Sequence, residues 1–139
     1  MLRPMRPCAL LLLLAACGGG GGPRLSNLRC RDPQRCQHPE DPFRVLLAVD
    51  FDDQTGTLDK GALDLRVNGG TQAQVALQDL FAAQGLVPGT RKGTLQVDEE
   101  FVLDRVTQGE SVQVGLLATD GQGRDSNEPS LTFTLHLGQ

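Results

Sequence analysis

The sequence predicts an all-β fold: a single antiparallel β-sandwich of about seven short strands that follows a leader and a flexible linker. Apolar and polar residues alternate with a period of two in several segments, which is typical of strands with one buried face. Clusters of Gly, Asn and Asp separate these segments at short intervals, as turns do. The length of 139 residues suits one domain around one hydrophobic core.

The first and longest alternation runs from residue 43 to residue 51, where five apolar residues share one face. They are Phe43, Val45, Leu47, Val49 and Phe51. We therefore expect the sandwich domain to begin near Phe43 and to span residues 43–139. Residues 17–42 contain the glycine tract 18–22 and four prolines, which interrupt regular structure. We expect a flexible Gly-rich tether there, followed by an irregular lead-in.

The middle of the chain alternates in shorter runs. Leu63, Leu65 and Val67 share one face, and the run stops at residues 68–70, an Asn-Gly-Gly sequence that tolerates positive φ. Residues 71–77 are expected to form a third strand. A short helical turn is expected around 78–84, before a loop.

The C-terminal third contains the two clearest strands. Leu95 and Val97 mark one short strand, Phe101 and Leu103 another, and a turn is expected at 107–110. Apolar residues then alternate over 112–118 and again over 131–137. The stretch between these two strands is polar and contains glycine, so we expect a loop there.

The N-terminus has the organisation of a secretion signal. Arg3 and Arg6 precede an apolar run over residues 9–16, which is much shorter than the roughly 20 residues that a membrane-spanning helix needs. The tetrad Leu14-Ala15-Ala16-Cys17 resembles the lipobox of bacterial lipoprotein precursors. The alternative is an ordinary secretory signal with an incidental cysteine.

The lipobox resemblance implies removal of residues 1–16, a diacylglycerol thioether on Cys17, and an N-terminal acyl chain such as palmitate. Two or more acyl chains make membrane residence long-lived. Gly18 lacks the acidic character that commonly marks inner-membrane retention in this family, so the resemblance favours an outer-membrane lipoprotein of the cell envelope, on the periplasmic or the surface face.

Processing would change both the charge and the cysteine count. The full chain has 13 basic and 17 acidic residues, and the leader contains two of the arginines and no acidic residue, so the mature chain of 123 residues would have a net charge of −6. An acidic chain without a basic cluster argues against nucleic acid as a partner. Only Cys30 and Cys36 would remain to pair, and an oxidising compartment favours a disulfide between them. Free thiols, or a metal site with His38, are the alternatives.

Two stretches resemble bacterial immunoglobulin-like (Ig-like) domains of surface proteins. Residues 49–59 end a strand in an acidic, Gly-containing loop, and residues 63–69 form a strand that ends in Asn-Gly. Residues 112–135, with an Ala-x-Asp turn at 118–120, are similar to the last hairpin of those domains. The resemblance implies an adhesive, spacer or presentation role. The chain departs from antibody-type domains in having no Trp and no Tyr, so Leu, Val and five Phe must form the core.

Acidic residues occur in two loops that an Ig-like arrangement would bring to the same end of the sandwich. Because Ca²⁺ takes about six to eight oxygen ligands, calcium is a candidate cofactor. The candidate ligands are Asp52, Asp53, Asp120, Asp125 and Glu128. An EF-hand is excluded, since the twelfth position counted from Asp50 is Gly61 where glutamate is required. The alternative is that these side chains only bind their own turns.

No catalytic constellation is predicted. His38 lies beside the cysteines, and His136 falls on the outward face of the last strand. No nucleophile motif surrounds Ser111, Ser126 or Ser130. We therefore expect a lipid-anchored, non-enzymatic binding, adhesive or spacer module whose partner is an envelope protein or a glycan. The alternatives are an accessory scaffold of an envelope assembly or transport complex and a calcium-stabilised domain.

Overall fold

The computed structural model describes residues 21–137, which form two antiparallel sheets packed face to face, and it confirms the predicted all-β sandwich. The predicted signal peptide and the predicted lipidation site Cys17 lie outside the described residues. The strands are β1 Arg24–Cys30, β2 Gln37–His38, β3 Asp41–Asp52, β4 Ala62–Val67, β5 Gly70–Ala76, β6 Lys92–Glu100, β7 Ser111–Thr119 and β8 Ser130–Thr134. A 3-10 helix spans Leu58–Lys60, and the helix α1 spans Leu77–Ala83, where the helical turn was predicted. No helix among these residues is long and apolar enough to cross a membrane.

The long strand β3 organises the first sheet. It pairs with β6 along one edge and with both β1 and β2 along the other. The second sheet has the order β5-β4-β7-β8. Within residues 21–137 the chain changes sheet between β3 and β4, between β5 and β6, and between β6 and β7, while the other consecutive strands stay in one sheet.

The strand registers define two ends of the sandwich. At the entry end, Asp52 pairs with Arg24 and with Lys92, so β1 begins where β3 ends. The loops 53–61, 84–91 and 120–129 lie at this end. At the far end, Arg44 pairs with Glu100, and the segments 31–40, 68–69 and 101–110 connect the strands there.

Phenylalanines fill both ends of the core in place of Trp and Tyr. Phe51 packs on Phe81 of α1 at the entry end, with ring centroids 5.6 Å apart. Phe101 lies between Phe43 and Phe133 at the far end, with edge-on contacts at 6.0 and 6.2 Å. Between them the alternating residues of both sheets are buried, as their period of two predicts. These buried residues include Val45, Leu47, Val49, Leu63, Leu65, Leu95, Val112, Val114 and Leu116.

The predicted start of the sandwich near Phe43 is too late. Residues 24–30 form β1, whose Leu25 is buried in the core, and residues 37–38 form β2. Pro23 precedes β1, and Pro33 and Pro39 lie between strands, so none of these prolines removes a hydrogen bond from a ladder. The lead-in is therefore part of the first sheet.

The predicted separate strand at Phe101 and Leu103 is also wrong. Phe101 continues the buried face of β6, and its N–H donates to the carbonyl of Phe43 at 2.9 Å. Residues 102–110 then leave the sheet as an irregular loop that passes over the end of the core. The apolar pattern arises because Phe101 extends the pairing of β6 with β3 and Leu103 packs against the core from the loop.

Candidate functional site

The predicted disulfide between Cys30 and Cys36 is confirmed, with a Cα–Cα distance of 4.7 Å. The bond closes the neck of a loop between β1 and β2, which run along one edge of β3. Arg31 donates to the carbonyl of Leu46 at 3.0 Å, and the N–H of Leu46 donates to the carbonyl of Cys36 at 2.7 Å, so both arms of the neck bind the same residue. Closing so small a loop contributes about 2–3 kcal/mol of stability.

The first described residues are packed onto the entry end. A Cβ at Gly22 would collide with the carbonyl of Asp125, and one at Gly21 would collide with the Arg124 guanidinium. The side chain of Asn127 accepts from the N–H of Leu25 and donates to its carbonyl, both at 2.8 Å. The approach of Gly22 to the Asp125 backbone requires a glycine, and the described end of the expected flexible tether, Gly21 and Gly22, therefore packs on the fold.

Asp53 and Asp120 are buried, and their own loops occupy their carboxylates. Asp53 accepts hydrogen bonds from the N–H groups of Thr55, Thr57 and Leu58. Asp120 accepts from the N–H groups of Gln122 and Arg124 at 2.9 Å and pairs with the Arg124 guanidinium at 3.0 Å. Burial by itself raises the pKa of the Asp120 carboxyl, but the hydrogen bonds from Arg124 and Gln122 outweigh it and lower the pKa below its usual value.

The other three calcium candidates each bind a protein group. Asp125 accepts from the Thr119 hydroxyl at 2.9 Å, and Asp52 lies 3.7 Å from the Lys92 ammonium. Glu128 pairs with Arg66 of β4 at 3.2 Å, on the outer face of the second sheet.

The two acidic loops meet at one end of the sandwich. The N–H of Gly121 donates to the carbonyl of Thr57 at 2.9 Å, and Asp52 and Asp125 line one shallow depression. Within residues 21–137 no three His, Cys, Asp or Glu side chains are arranged to hold a metal ion. Asp53 and Asp120 bind their own turns, Asp52 and Glu128 pair with strand residues, and calcium binding stays a prediction.

Side-chain amides cover parts of the sheet edges, a feature that the sequence patterns did not predict. Gln84, just after α1, donates to the carbonyl of Gln96 at 2.9 Å and accepts from its N–H at 3.0 Å, so it mimics a neighbouring strand beside β6. Asn127 does the same beside β1. The buried Gln37 joins the His136 backbone through both of its amide atoms. At these positions the edge is unavailable to a partner strand.

The histidines and serines that were considered for catalysis do not meet. His38 accepts from the N–H of Glu40, and the exposed His136 binds Gln37 through its backbone N–H and carbonyl, not through its imidazole. The Ser126 hydroxyl bonds to backbone groups of Ala118 and Asn127. Neither histidine forms a hydrogen bond to a serine in the described part of the chain, and the absence of enzymatic activity stays a prediction.

An apolar pocket opens at the far end, and sequence reasoning missed it. This far-end pocket has a volume of about 440 Å³ and is lined by Asp41, Phe43, Glu100, Phe101, Val102, Leu103 and Val106. Val102 is 70% exposed and Val106 is 44% exposed, so the lip of the pocket presents apolar surface to water. The 102–110 loop forms this lip because it is held out of the sheet.

The strands beside the pocket carry a surplus of negative charge. Arg44 binds Asp98 and also Glu100, the latter at 3.1 Å, and the hydrogen bond and charge of Asp98 raise the pKa of Arg44. Glu99 lies on the inward face of β6 opposite Val45. Burial raises the pKa of Glu99, and the negative charges of Asp98 and Glu100 raise it further, while Arg44 lowers it.

The chain was compared with models of protein families, with curated proteins and with solved structures. None of the three comparisons found a match.

Proposed function

We propose that the chain is the precursor of a lipid-anchored, non-catalytic binding module of the bacterial cell envelope. In this proposal residues 1–16 are removed, Cys17 carries the lipid, and the sandwich presents a surface to an envelope partner. The lipobox-like tetrad before Cys17 supports the anchor. The Cys30–Cys36 disulfide agrees with export, since disulfides persist in oxidising compartments and are rare in the cytosol.

The observation that carries the proposal is where the chain enters the fold. Gly21 and Gly22 pack against Arg124 and Asp125 at the entry end. The four peptide units between Cys17 and Gly21 span at most about 14 Å when fully extended. A lipid on Cys17 would therefore hold the entry end near the headgroups and direct the far end away from the membrane, which is the geometry of a displayed binding surface.

Replacing the proposed lipidated residue tests the anchor. We expect Cys17→Ser to abolish incorporation of labelled palmitate and to yield a soluble or unprocessed product, because the thioether has no sulfur to form on. The measurement is the mass of the mature N-terminus together with fractionation of the cells. Cys8→Ser is the matched control, since Cys8 lies in the predicted leader, and it should leave labelling and membrane partition unchanged.

A Cys17→Ser product that still partitions with membranes in a processed, lipid-labelled form would contradict the proposal. The ordinary secretory alternative predicts a different result: the natural chain itself would be cleaved and recovered without lipid in the soluble fraction.

A second experiment separates the accessory scaffold from the adhesive module. The natural chain is extracted from membranes and the proteins that co-purify with it are identified. A stoichiometric complex supports the accessory scaffold, and protease sensitivity in whole cells supports the adhesive module.

A further inference from the structure

We propose that the far-end pocket is the docking site for a segment of a partner protein that carries a large apolar side chain flanked by Lys or Arg. The inference rests on the proposed function, because the lipid anchor is what would turn this end of the sandwich toward a partner. It goes beyond that function by naming the surface and the chemistry of its ligand.

The apolar part of the pocket combines a fixed floor with an exposed lip. Phe101 is 2% exposed and is held between Phe43 and Phe133 by edge-on aromatic contacts, so the floor keeps its shape. Val102 and Val106 form the lip and are two of the three large apolar side chains that are exposed among residues 21–137. Covering them with a partner's apolar side chain would remove unfavourable contact with water. A pocket of about 440 Å³ accommodates such an anchor.

The charge around the pocket selects a basic partner. The segments 40–44 and 98–106, which border it, contain six carboxylates and two arginines. Asp41 and Glu100 line the pocket itself, which no Lys or Arg lines, and the Glu100 side chain is 73% exposed. A Lys or Arg beside the apolar anchor would therefore meet a complementary potential, which speeds association and excludes acidic partners.

The same charges disfavour the other occupants. A second copy of this chain docked pocket to pocket would bring two acidic rims together, and like charges across an interface oppose association. Anionic lipid headgroups would be repelled for the same reason. A small apolar ligand would remain largely exposed beside Val102, whereas small-molecule sites bury most of their ligand.

The inference is tested by selecting peptides that bind the natural chain and comparing their binding to variants of the pocket. The protein is purified from the membranes of expressing cells and placed in nanodiscs. The probe is a random library of twelve-residue peptides displayed on phage. We expect selected peptides to share a Leu or aromatic residue flanked by Lys or Arg. Their affinity should fall by about tenfold or more for Val102→Ser combined with Val106→Ser, since exposed valines tolerate serine but lose the apolar contact.

Two control variants separate apolar from electrostatic contributions. Val87→Ser changes a valine that is also 70% exposed but lies at the entry end, and it should leave binding unchanged. Asp41→Asn combined with Glu100→Gln should weaken peptide binding. It should also make the affinity depend less on salt concentration, because fewer charges remain for salt ions to screen. Asp79→Asn, an exposed carboxylate on α1, is the matched control for that pair.

Three results would overturn the inference. Selection could yield no peptide that binds the natural chain better than the double-valine variant. The selected peptides could lack basic residues. Sedimentation could show a dimer that the double-valine variant loses, which would make the occupant a second copy. If the chain is not lipid-anchored, it will be recovered from the soluble fraction. The same peptide selection can then be made on the soluble protein, so it tests the pocket independently of the anchor.

Discussion

In two loops of this sandwich, a single buried carboxylate accepts hydrogen bonds from several N–H groups of its own loop. Asp53 and Asp120 each follow the last residues of a strand, and each accepts hydrogen bonds from N–H groups two to five positions later in the chain. Carboxylates can do this because both oxygens accept and neither donates. The loops after β3 and β7 are therefore stabilised by acidic residues. The spacing of these residues in the sequence equally resembles that of metal ligands.

The Asp120 interactions predict a pH-dependent loss of stability. The pKa of Asp120 is lower in the folded chain than its unfolded value of about 3.9. Its contribution is therefore full above about pH 5 and is lost as the pH falls through the folded pKa. We expect Asp120→Asn to lower the free energy of unfolding by about 1–3 kcal/mol at pH 7, because the Arg124 guanidinium loses its anionic partner.

Urea unfolding between pH 3 and pH 7 measures this effect. The difference between Asp120→Asn and the natural chain should be constant above about pH 5 and shrink below about pH 4. Asp125→Asn is the matched control in the same loop, since Asp125 is exposed and accepts one side-chain hydrogen bond. A difference that does not change with pH would show that the carboxylate charge is not responsible.

At the scale of elements, the edge strands are protected by residues that lie outside them. Among residues 21–137 β6 pairs only with β3, and its other edge is covered at Gln96 by the side chain of Gln84. Glu99 also places a carboxylate on the inward face of the same strand. Such devices keep a free edge from recruiting another chain. A partner that adds a strand is therefore disfavoured at the middle of β6, whereas side-chain docking at the far end remains open.

Removing the amide of Gln84 should expose this edge. We expect Gln84→Ala to speed hydrogen exchange of the Gln96 N–H and to lower stability by about 0.5–1.5 kcal/mol, because two hydrogen bonds to that backbone are lost. Amide exchange followed by NMR measures it. Gln78→Ala, an exposed glutamine on α1, should leave exchange at Gln96 unchanged. Equal protection in the two variants would mean that Gln84 does not cover the edge.

At the scale of the whole molecule, the two ends of the sandwich have different roles in our proposal. The entry end receives the chain from Cys17 and is closed by buried carboxylates, while the far end carries an open apolar pocket with an acidic rim. Strands of about nine residues place these ends about 30 Å apart. If Cys17 carries the proposed lipid, this separation and the short connection to Cys17 would turn the far end away from the membrane.

A fluorophore at each end would report this orientation. We expect a label on Gln54→Cys to be quenched more strongly by nitroxide-headgroup lipids than a label on Thr107→Cys, because residue 54 lies at the entry end. The measurement uses the lipidated chain in nanodiscs, and the Cys30–Cys36 disulfide does not compete for the label. Detergent-solubilised samples without nitroxide lipid supply the unquenched control. Equal quenching at both positions would rule out the proposed direction.

Much of the fold was predictable because each strand repeats a local pattern. The alternation from Phe43 to Phe51 and from Val112 to Ala118 predicted strands that the structure contains, and the helical turn after residue 77 was placed correctly. The strand at 24–30 was missed because proline and glycine around it masked a short apolar pattern. Leu25 becomes a core residue only through pairing of β1 with the distant strand β3.

The sequence by itself determined the sandwich class, the cysteine pair and the likeness of residues 14–17 to a lipobox, because each depends on residues that are close together in the chain. Only the tertiary structure decided which acidic side chains are satisfied by their own loops, which edges are covered by Gln84 and Asn127, and that Phe43 and Val106 border one pocket. These features join segments that are far apart in sequence, and a local pattern holds no information about the partners that folding brings to it.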